Sequence, residues 1–442
     1  MQAVVLAGGK GTRLASRLNG RPKPLIEVCG QPLLGRQLDI LCREGVDDVV
    51  VLVNHEAGQI GDFLKTRSSG PSVRLIDDGE PRGTAGAALA CLADLEDRFV
   101  VVYGDTLFDV DIRAMVADHV AHKAAATLLL HPNDHPADSD LVEIDEDGYV
   151  TAFHSYPHPP GAELRNLVNA ALYVCEKAAL QPYMDAAPPL DFAKDLFPRM
   201  LADGARIRGY VSFEYIKDLG TPKRLDKVER HLSTGVVARA RREAPQKVVF
   251  VDRDGTLNQL RDYVRTPDDL EMIVGTAEGV RLLNEAEFRV FVVTNQPVLA
   301  RGDCDLPTMA RIHARMESRL GEAGAYLDGI EFCPHHPDGG FDGEVTALKG
   351  PCDCRKPGLG MFDAVGRALT IDPARSWMVG DSTADILAGT RFGLRTILVR
   401  TGEAGLDGKW QADAEFEVSD FAEAVELITS IDADRLDPGA MS

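Results

Sequence analysis

The stretch Lys247-Val248-Val249-Phe250-Val251-Asp252-Arg253-Asp254-Gly255-Thr256-Leu257 narrows the fold of this chain more than any other. Four apolar residues in succession, Val248 to Val251, suit a strand buried on both faces, as in a parallel sheet covered by helices. The run stops at two carboxylates flanking an arginine, then glycine and threonine. Ligands of open parallel sheets sit beyond the carboxyl ends of strands, so Asp252 and Asp254 are expected side by side in a substrate crevice. An ordinary strand-to-turn junction also favours Asp and Gly. What separates the two readings is the company these residues keep along the chain.

A chain of 442 residues exceeds one usual core and predicts two domains or three. The formal charge of −21 argues against a general binder of nucleic acid or of a membrane surface, since both are anionic. It leaves room for small anionic substrates, because local Arg, Lys and metal ions can hold a phosphate inside an acidic protein. The text opens almost directly on a strand, without a basic and apolar leader, and no later apolar run reaches membrane-spanning length, so a cytoplasmic location is expected. Of eight cysteines, Cys29, Cys42, Cys91, Cys175 and Cys304 are scattered, while Cys333, Cys352 and Cys354 cluster. Clustered thiols in a reducing compartment point to metal before disulfide.

Short apolar runs at 3–7, 48–53, 73–76, 99–103, 125–130 and 170–175 alternate with helix-like segments, which predicts a mostly parallel sheet with helices on both faces over residues 1–232. Residues 233–246 turn polar and basic and are expected as a linker, with Arg239, Arg241 and Arg242 as a solvated face. The alternation resumes over 247–431, with strands at 248–251, 290–294, 377–379 and 396–399. Residues 432–442 are expected to fray. No tandem repeat is present at a fixed period.

The first run leads into Gly8-Gly9-Lys10-Gly11-Thr12-Arg13-Leu14, followed by Arg21-Pro22-Lys23-Pro24-Leu25. Close glycines let a backbone approach a polyphosphate, and Arg13 and Lys23 supply charge. The spacing matches neither a P-loop nor a dinucleotide fingerprint. Further on, Gly104-Asp105 ends a strand, Asp218 offers a second carboxylate, and Gly83-Thr84-Ala85-Gly86-Ala87 is small enough for a base to lie against the backbone. Two carboxylates holding Mg²⁺ over a polyphosphate, with Arg and Lys opposite, are the parts needed for attack at a nucleotide α-phosphorus.

Together with Asn169 and Asp218-Leu219-Gly220-Thr221-Pro222, these motifs resemble the sugar-1-phosphate nucleotidyltransferases across nearly the whole first half. The resemblance implies phosphate binding by Arg13 and Lys23, and Mg²⁺ on Asp105 and Asp218. It also implies nucleotide contacts from Leu6, Gly8, Gly9, Gly11, Thr12, Gly83, Thr84 and Ala85, and a sugar contact from Asn169. The stretch Asp191-Phe192-Ala193-Lys194-Asp195-Leu196-Phe197-Pro198 is similar to the mannose-1-phosphate and heptose-1-phosphate guanylyltransferase branch, which implies GTP as donor. Phe153-His154-Ser155-Tyr156 stands where many members carry a Glu-Lys pair.

In the second half, Val293-Thr294-Asn295-Gln296, Cys354-Arg355-Lys356-Pro357 and Gly380-Asp381-Ser382-Thr383-Ala384-Asp385 join the Asp252 motif, each at or near a strand end. The set holds what phosphomonoester hydrolysis through an acyl phosphate requires. Asp252 is expected as the nucleophile and Asp254 as the proton carrier, with a hydroxyl and a lysine for phosphate oxygens, which the resemblance described next implies are Thr294 and Lys356, and further acids for Mg²⁺. Cys333-Pro334-His335-His336 followed by Cys352-Asp353-Cys354 makes a closed set of three thiols and one imidazole, which suits structural Zn²⁺. Spacing alone leaves His335 and His336 as alternatives for the fourth ligand.

The four strand-end motifs, in this order, resemble the haloacid dehalogenase-like phosphatases over about 246–430. That resemblance implies Mg²⁺ on Asp252, Asp381 and the backbone carbonyl of Asp254, with Asp385 supporting the lysine or the metal. The cysteine loop is similar to that of heptose bisphosphate and histidinol-phosphate phosphatases, which makes Arg355 a grip for a distal phosphate and adds Asn295 and Arg301 as substrate contacts. Pro297-Val298 stands where the heptose enzymes usually have Ser-Gly.

The expected fold is therefore α/β, with two Rossmann-like three-layer domains, a nucleotidyltransferase fold and a haloacid dehalogenase-like fold with a zinc loop. The expected substrates are a nucleoside triphosphate and heptose phosphates, with no nucleic-acid or membrane partner and a homo-oligomer left open. One fusion makes sense of both halves: a heptose 1,7-bisphosphate loses its C7 phosphate, and the heptose 1-phosphate then receives a nucleotide. A histidinol-phosphate phosphatase fused to another sugar nucleotidyltransferase, or a regulatory nucleotide-sugar-binding domain, are the alternatives.

Overall fold

The computed structural model describes residues 1–9, 11–54, 57–77, 79–340 and 342–436, and the chain divides into two compact units. Unit 1 comprises Met1–His131, Ser139–Pro157 and Leu167–Arg242. Unit 2 comprises Pro132–Asp138, His158–Asn166 and Glu243–Ser442. Two short loops inside the first half, 132–138 and 158–166, thus belong by contact to unit 2. There Leu164 exchanges hydrogen bonds with Ser318 Oγ at 3.1 and 3.2 Å, and Arg165 pairs with the buried Glu317.

In unit 1 the strands are β1 (Gln2–Leu6), β2 (Glu27–Val28), β3 (Gln31–Pro32), β4 (Asp48–Val53), β5 (Ser72–Asp77), β6 (Arg98–Tyr103), β7 (Thr106–Asp109), β8 (Ala126–His131), β9 (Leu141–Ile144), β10 (Val150–His154), β11 (Val168–Glu176), β12 (Ile207–Val211) and β13 (Tyr215–Asp218). β1 lies between β4 and β6, parallel to both, and Ala3, Val4 and Val5 are wholly buried, as a strand with both faces covered requires. The main sheet runs β10-β9-β11-β6-β1-β4-β5, with β8 on β11 and β12 on β8. It is mixed, unlike the mostly parallel sheet expected, because β11 runs antiparallel to β6, β8 and β9. A separate antiparallel ribbon of β7 and β13 has no counterpart in the hydrophobic pattern.

In unit 2, β14 (Val248–Val251), β15 (Arg289–Asn295), β16 (Gly329–Cys333), β17 (Trp377–Gly380), β18 (Arg395–Val399) and β19 (Phe416–Val418) form an all-parallel sheet in the order β16-β15-β14-β17-β18-β19. Chain order runs one way from β14 to β16 and the other way from β17 to β19. The reversal between β14 and β17 opens a crevice at their carboxyl ends. All four β14 residues are wholly buried, as their apolar run requires.

Two expectations are corrected. Arg241 is no solvated linker residue: its Nε donates at 2.9 Å to Asp109, a 4% exposed carboxylate that also pairs with Arg43, since a buried acid needs cations close by. The last helix does not fray at residue 432 but runs Phe421–Leu436, because Lys247 and Arg375 each donate to the buried Asp432 at 2.6 Å and dock that turn. Residues 437–442 of the expected tail lie outside the described residues. Among the described residues no helix is long and apolar enough to cross a membrane.

Candidate active sites

Asp252 follows β14 and Asp381 follows β17, so the two acids face each other across the strand-order reversal. With Asp385 they form a group of buried carboxylates whose oxygens lie within 4.8 Å of one another. Lys356 Nζ reaches in between them, 2.7 Å from Asp252 Oδ1 and 2.6 Å from the Val293 carbonyl. It also lies 2.5 Å from Asp385 Oδ1, an ion pair without hydrogen-bond alignment. One lysine cannot balance this much negative charge in a space closed to water. Burial, and then the neighbouring acids, push Asp252 up to about 7 and Asp381 up to about 8. Burial would lower Lys356, but Asp252 and Asp385 together raise it. An excess of hard oxygen donors over cationic charge is what a Mg²⁺ site needs, and the residues present fit the ion.

Asp381 is also held by backbone: Glu403 N–H donates to its Oδ2 at 2.7 Å, and Gly405 N–H to its carbonyl at 2.8 Å. Gly255 has φ +83°, and a Cβ there would lie 2.3 Å from Asp381 Oδ2, so the glycine after the two aspartates is imposed by the facing acid. Asp385 caps the helix Thr383–Phe392, accepting from Ser382 N–H and Oγ–H.

The Asp254 carboxylate is directed elsewhere. It accepts from Arg253 at 2.9–3.1 Å, from Asn258 Nδ2 at 3.0 Å and from Gln296 Nε2 at 2.7 Å. Burial would raise its pKa, but Arg253 and these hydrogen bonds win and hold it below the usual carboxylate value. Arg253 is fully buried, its far side turned to Met309 Sδ and His313 Nε2. Gln296 Nε2 also donates to Thr294 Oγ1 at 2.9 Å, leaving the Thr294 hydroxyl proton for a ligand.

Sequence reasoning named Asn295 as a substrate contact, and the structure differs. Asn295 Oδ1 accepts from Lys356 N–H at 2.9 Å and its Nδ2 donates to Lys356 O at 3.2 Å, so the side chain clamps the lysine loop. Side chains alternate along a strand, so Thr294 and Gln296 share the site face and Asn295 takes the other. That period-two signal was available for Gln296. None was available for Asn258, Arg253 or His313. Arg301 is engaged with Tyr263, whose ring it covers at 4.7 Å, and with Asp303 at 3.2 Å.

The thiol cluster forms as expected. Cys333, Cys352 and Cys354 place their sulfurs 3.1–3.6 Å apart, and His335 Nδ1 lies 3.2 Å from Cys354 Sγ and 3.7 Å from Cys333 Sγ. A tetrahedron of sulfur ligands around zinc has edges of roughly 3.5–3.8 Å, so this donor set fits the ion with a small expansion. Of the two histidines it is His335 that faces the thiols; His336 Nδ1 accepts from Asp338 N–H at 3.1 Å. Arg355 Nη1 donates to His335 O at 3.2 Å, which fixes the arginine to the same loop.

In unit 1 the β7–β13 ribbon joins the two acids. Asp218 pairs with Thr106, and Leu219 N–H donates to the Asp105 carbonyl at 2.8 Å. Lys23, 8% exposed, reaches Asp105 Oδ2 at 2.5 Å, and Arg224 Nη1 and Gly220 N–H each reach Asp218 Oδ2 at 2.9 Å. Arg13 is exposed beside Gly220, where a Cβ would stand 3.4 Å from its Nη2. Two carboxylates are oxygen donors that fit Mg²⁺ once substrate phosphates add theirs. Leu6 ends β1, and Gly8, Gly9 and Gly11 follow it in the loop toward Lys23, whose Cβ a side chain on Gly11 would meet at 3.1 Å. The Thr12 side chain lies outside the described residues.

The segment expected to face the base is partly covered. Ala85 is wholly buried, and its N–H and that of Gly86 donate to Leu190 O at 2.9 and 3.2 Å, so Ala85 is removed as a contact surface. Gly83 and Thr84 retain exposure, Thr84 bonded through Oγ1 to Asp191 at 2.8 Å. Asn169 lies beside Tyr173 with its Nδ2 buried, and its Oδ1 accepts from Ala171 N–H at 3.3 Å. His154 Nε2 lies 2.9 Å from Glu143 Oε1 in the strand that departs from the Glu-Lys pattern.

Comparison with known proteins places both halves. Residues 2–235 match the model of the nucleotidyl transferase family, and residues 353–424 match the HAD-hydrolase-like family. The first match spans more than half of the chain, so the chain belongs to the nucleotidyl transferase family. It is 42% identical over 171 residues to the D-glycero-beta-D-manno-heptose-1,7-bisphosphate 7-phosphatase of Haemophilus ducreyi, covering 38% of this chain and 91% of that protein, and so belongs to that phosphatase family as well. The enzyme of the same name from Escherichia coli K12 is 40% identical over 156 residues, 35% of this chain and 80% of that one. Among solved structures, HddC from Yersinia pseudotuberculosis is 25% identical, covering 52% of this chain and 99% of that chain with a TM-score of 0.46. The protein is a bifunctional enzyme, a nucleotidyltransferase and a haloacid dehalogenase-like phosphatase.

Proposed function

We propose that unit 2 removes the C7 phosphate of D-glycero-D-manno-heptose 1,7-bisphosphate and that unit 1 joins the resulting heptose 1-phosphate to a nucleotide, with GTP as donor, in the cytoplasm. The observation that carries this reading is the presence, in one chain, of a nucleotidyl transferase and a close relative of heptose bisphosphate 7-phosphatases. The product of one reaction is the substrate of the other.

In the phosphatase step, Asp252 attacks phosphorus and the C7 oxygen leaves with a proton from Asp254. Water then attacks the acyl phosphate while Asp254 takes its proton, and inorganic phosphate departs. Lys356 steadies the nucleophile and, with the Thr294 hydroxyl, meets the phosphoryl oxygens. Asp254 is held ionised by Arg253, Asn258 and Gln296 until the phosphate dianion arrives. That nearby negative charge favours its neutral form, so Asp254 takes up from solvent the proton it then gives to the leaving oxygen. Mg²⁺ held by Asp252, Asp381 and the Asp254 carbonyl would supply the positive charge that lets one anion approach another. Zn²⁺ on Cys333, His335, Cys352 and Cys354 would fix the loop that carries Arg355 toward the distal phosphate.

In the transfer step, Lys23 and Arg13 hold the triphosphate, Gly83 and Thr84 lie along the base, and Asn169 donates to the sugar. A sugar phosphate oxygen attacks the α-phosphorus and pyrophosphate leaves. Asp105 and Asp218 are the residues that would hold Mg²⁺ there.

Incubating the protein with heptose 1,7-bisphosphate and each nucleoside triphosphate in turn, with product mass as the readout, tests the whole scheme. A GDP-heptose mass is expected with GTP alone. Turnover of histidinol phosphate in place of the bisphosphate would sink the sugar assignment, and a product with another nucleotide would sink the donor.

A further inference from the structure

Gln37 lies on the helix Leu33–Arg43, and no part of its side chain reaches solvent. Both hydrogens of its Nε2 are used on one turn of main chain. It donates to the Tyr103 carbonyl at 2.9 Å and to the Thr106 carbonyl at 2.7 Å, the residues immediately before and after Gly104-Asp105. Its Oε1 is buried with no partner. An apolar side chain of the same size would avoid that cost, so packing alone does not account for a glutamine here. What the amide does is bracket the turn at the end of β6 that carries Asp105.

Strand pairing also holds the two ends of that turn, Tyr103 against Leu6 and Thr106 against Asp218, and Gln37 ties the two ends to each other. Gly104 N–H donates to Leu6 O at 2.9 Å, and Leu219 N–H donates to the Asp105 carbonyl at 2.8 Å, which brings Asp218 alongside. The Asp105 carboxylate meets Lys23. A shift of the turn would therefore move Asp105 against Lys23 and Asp218 together.

We propose that Gln37 is a positioning residue for nucleotidyl transfer: its buried amide fixes the Tyr103–Thr106 turn so that Asp105 and Asp218 stand together as one site. The inference rests on the nucleotidyltransferase reading of unit 1. Gln37 touches neither substrate nor metal ligand directly; it acts through two carbonyls.

The test compares wild type with Gln37→Met, which keeps the volume and deletes the donor. Three measurements are made on the full chain: transfer kinetics against Mg²⁺ concentration, calorimetric binding of a non-hydrolysable GTP analogue at several Mg²⁺ concentrations, and phosphate release by unit 2 as an internal control. Misplacing a catalytic group by a fraction of an ångström to an ångström costs up to about 100-fold. The expected result is a fall of that order in kcat. The Mg²⁺ needed for half-maximal transfer and for analogue binding should rise about tenfold, with phosphatase kinetics unchanged. Transfer and Mg²⁺ dependence within twofold of wild type would overturn the proposal. If Gln37→Met fails to fold, Gln37→Glu is measured in its place, and failure of both to fold would make Gln37 a fold residue and overturn it equally. A wild-type chain that binds no nucleotide and transfers none would instead sink the reading of unit 1.

Discussion

The two sites solve the problem of anionic chemistry in opposite ways. In unit 2, Asp252, Asp381, Asp385 and Lys356 are all less than a tenth exposed, and each carboxylate is locked to a neighbour before any substrate arrives. In unit 1, the Asp105 and Asp218 side chains are about a third exposed, at 35% and 36%, and each is matched one-to-one with a cation. Charges in a closed site interact strongly and cannot borrow water, so unit 2 must carry its own balance and an ion to complete it. Charges in an open cleft are screened, and the substrate's own phosphates can complete the coordination. The difference teaches that the acids of unit 2 are locked together by the chain itself, whereas those of unit 1 stand open to solvent.

The comparison breaks most sharply at Asp252, the proposed nucleophile. Asp252→Asn should cut phosphate release by roughly a millionfold, as loss of a nucleophile does elsewhere, and leave pyrophosphate release by unit 1 within twofold. Loss of both activities would mean that the sites are not independent. Asp105→Ala should lower transfer by about a thousandfold, the upper range for removing one electrostatic anchor of a transition state, with phosphatase kinetics unchanged. Pyrophosphate release that survives would leave unit 1 as a binding domain.

The zinc loop gives an intermediate effect. Wild type should contain about one zinc per chain, and Cys352→Ser should lose it and reduce phosphatase activity about 10- to 100-fold through the loop carrying Arg355 and Lys356. Metal-free protein with full activity would refute the site.

The smallest effect is the pH dependence that His313 gives to unit 2. Burial first, and then Arg253 and Arg165, hold His313 neutral well below its ordinary value of 6.5. The unfolded chain takes up a proton below about pH 6.5 that the folded chain refuses, so stability is present above that pH and is lost as pH falls, by up to about 1.4 kcal/mol per unit. In His313→Leu the denaturant midpoint of unit 2 should fall less between pH 6.5 and 5.5 than in wild type. Parallel lines for the two proteins would exclude His313 as the cause.

The phosphatase half was the more legible in the sequence. Its motifs sit at the ends of parallel strands with continuous apolar runs, and in such a sheet the ends converge on one crevice by topology alone. The strand period within a motif carries more than the motif does: Asn295, expected as a substrate contact, turns to the Lys356 backbone, while Gln296 on the site face donates to Asp254 and Thr294. In unit 1 the alternation of apolar runs located β1, β4, β5 and β6. The run of β11 was visible too, though its antiparallel direction was not, since hydrophobicity carries no sign along the chain. The β7–β13 ribbon, four residues on each strand, is too short to leave a periodic signal, yet it sets Asp218 beside Asp105.

What the residues alone determined was which groups are on offer: two carboxylates at a strand end, a lysine and a hydroxyl in neighbouring motifs, three clustered thiols with an imidazole, and a glycine turn with Arg13 and Lys23. Their identities follow from what each reaction needs, and that requirement is written locally. Only the tertiary structure decided which donors meet. It turned His335 rather than His336 toward the thiols, covered Ala85 with Leu190, set the buried Gln37 amide on the Tyr103 and Thr106 carbonyls, and set the buried Arg253 on the Asp254 carboxylate. Such contacts join residues dozens of positions apart, and their partners are chosen by packing and by the need to satisfy every buried polar group, neither of which is readable along the chain.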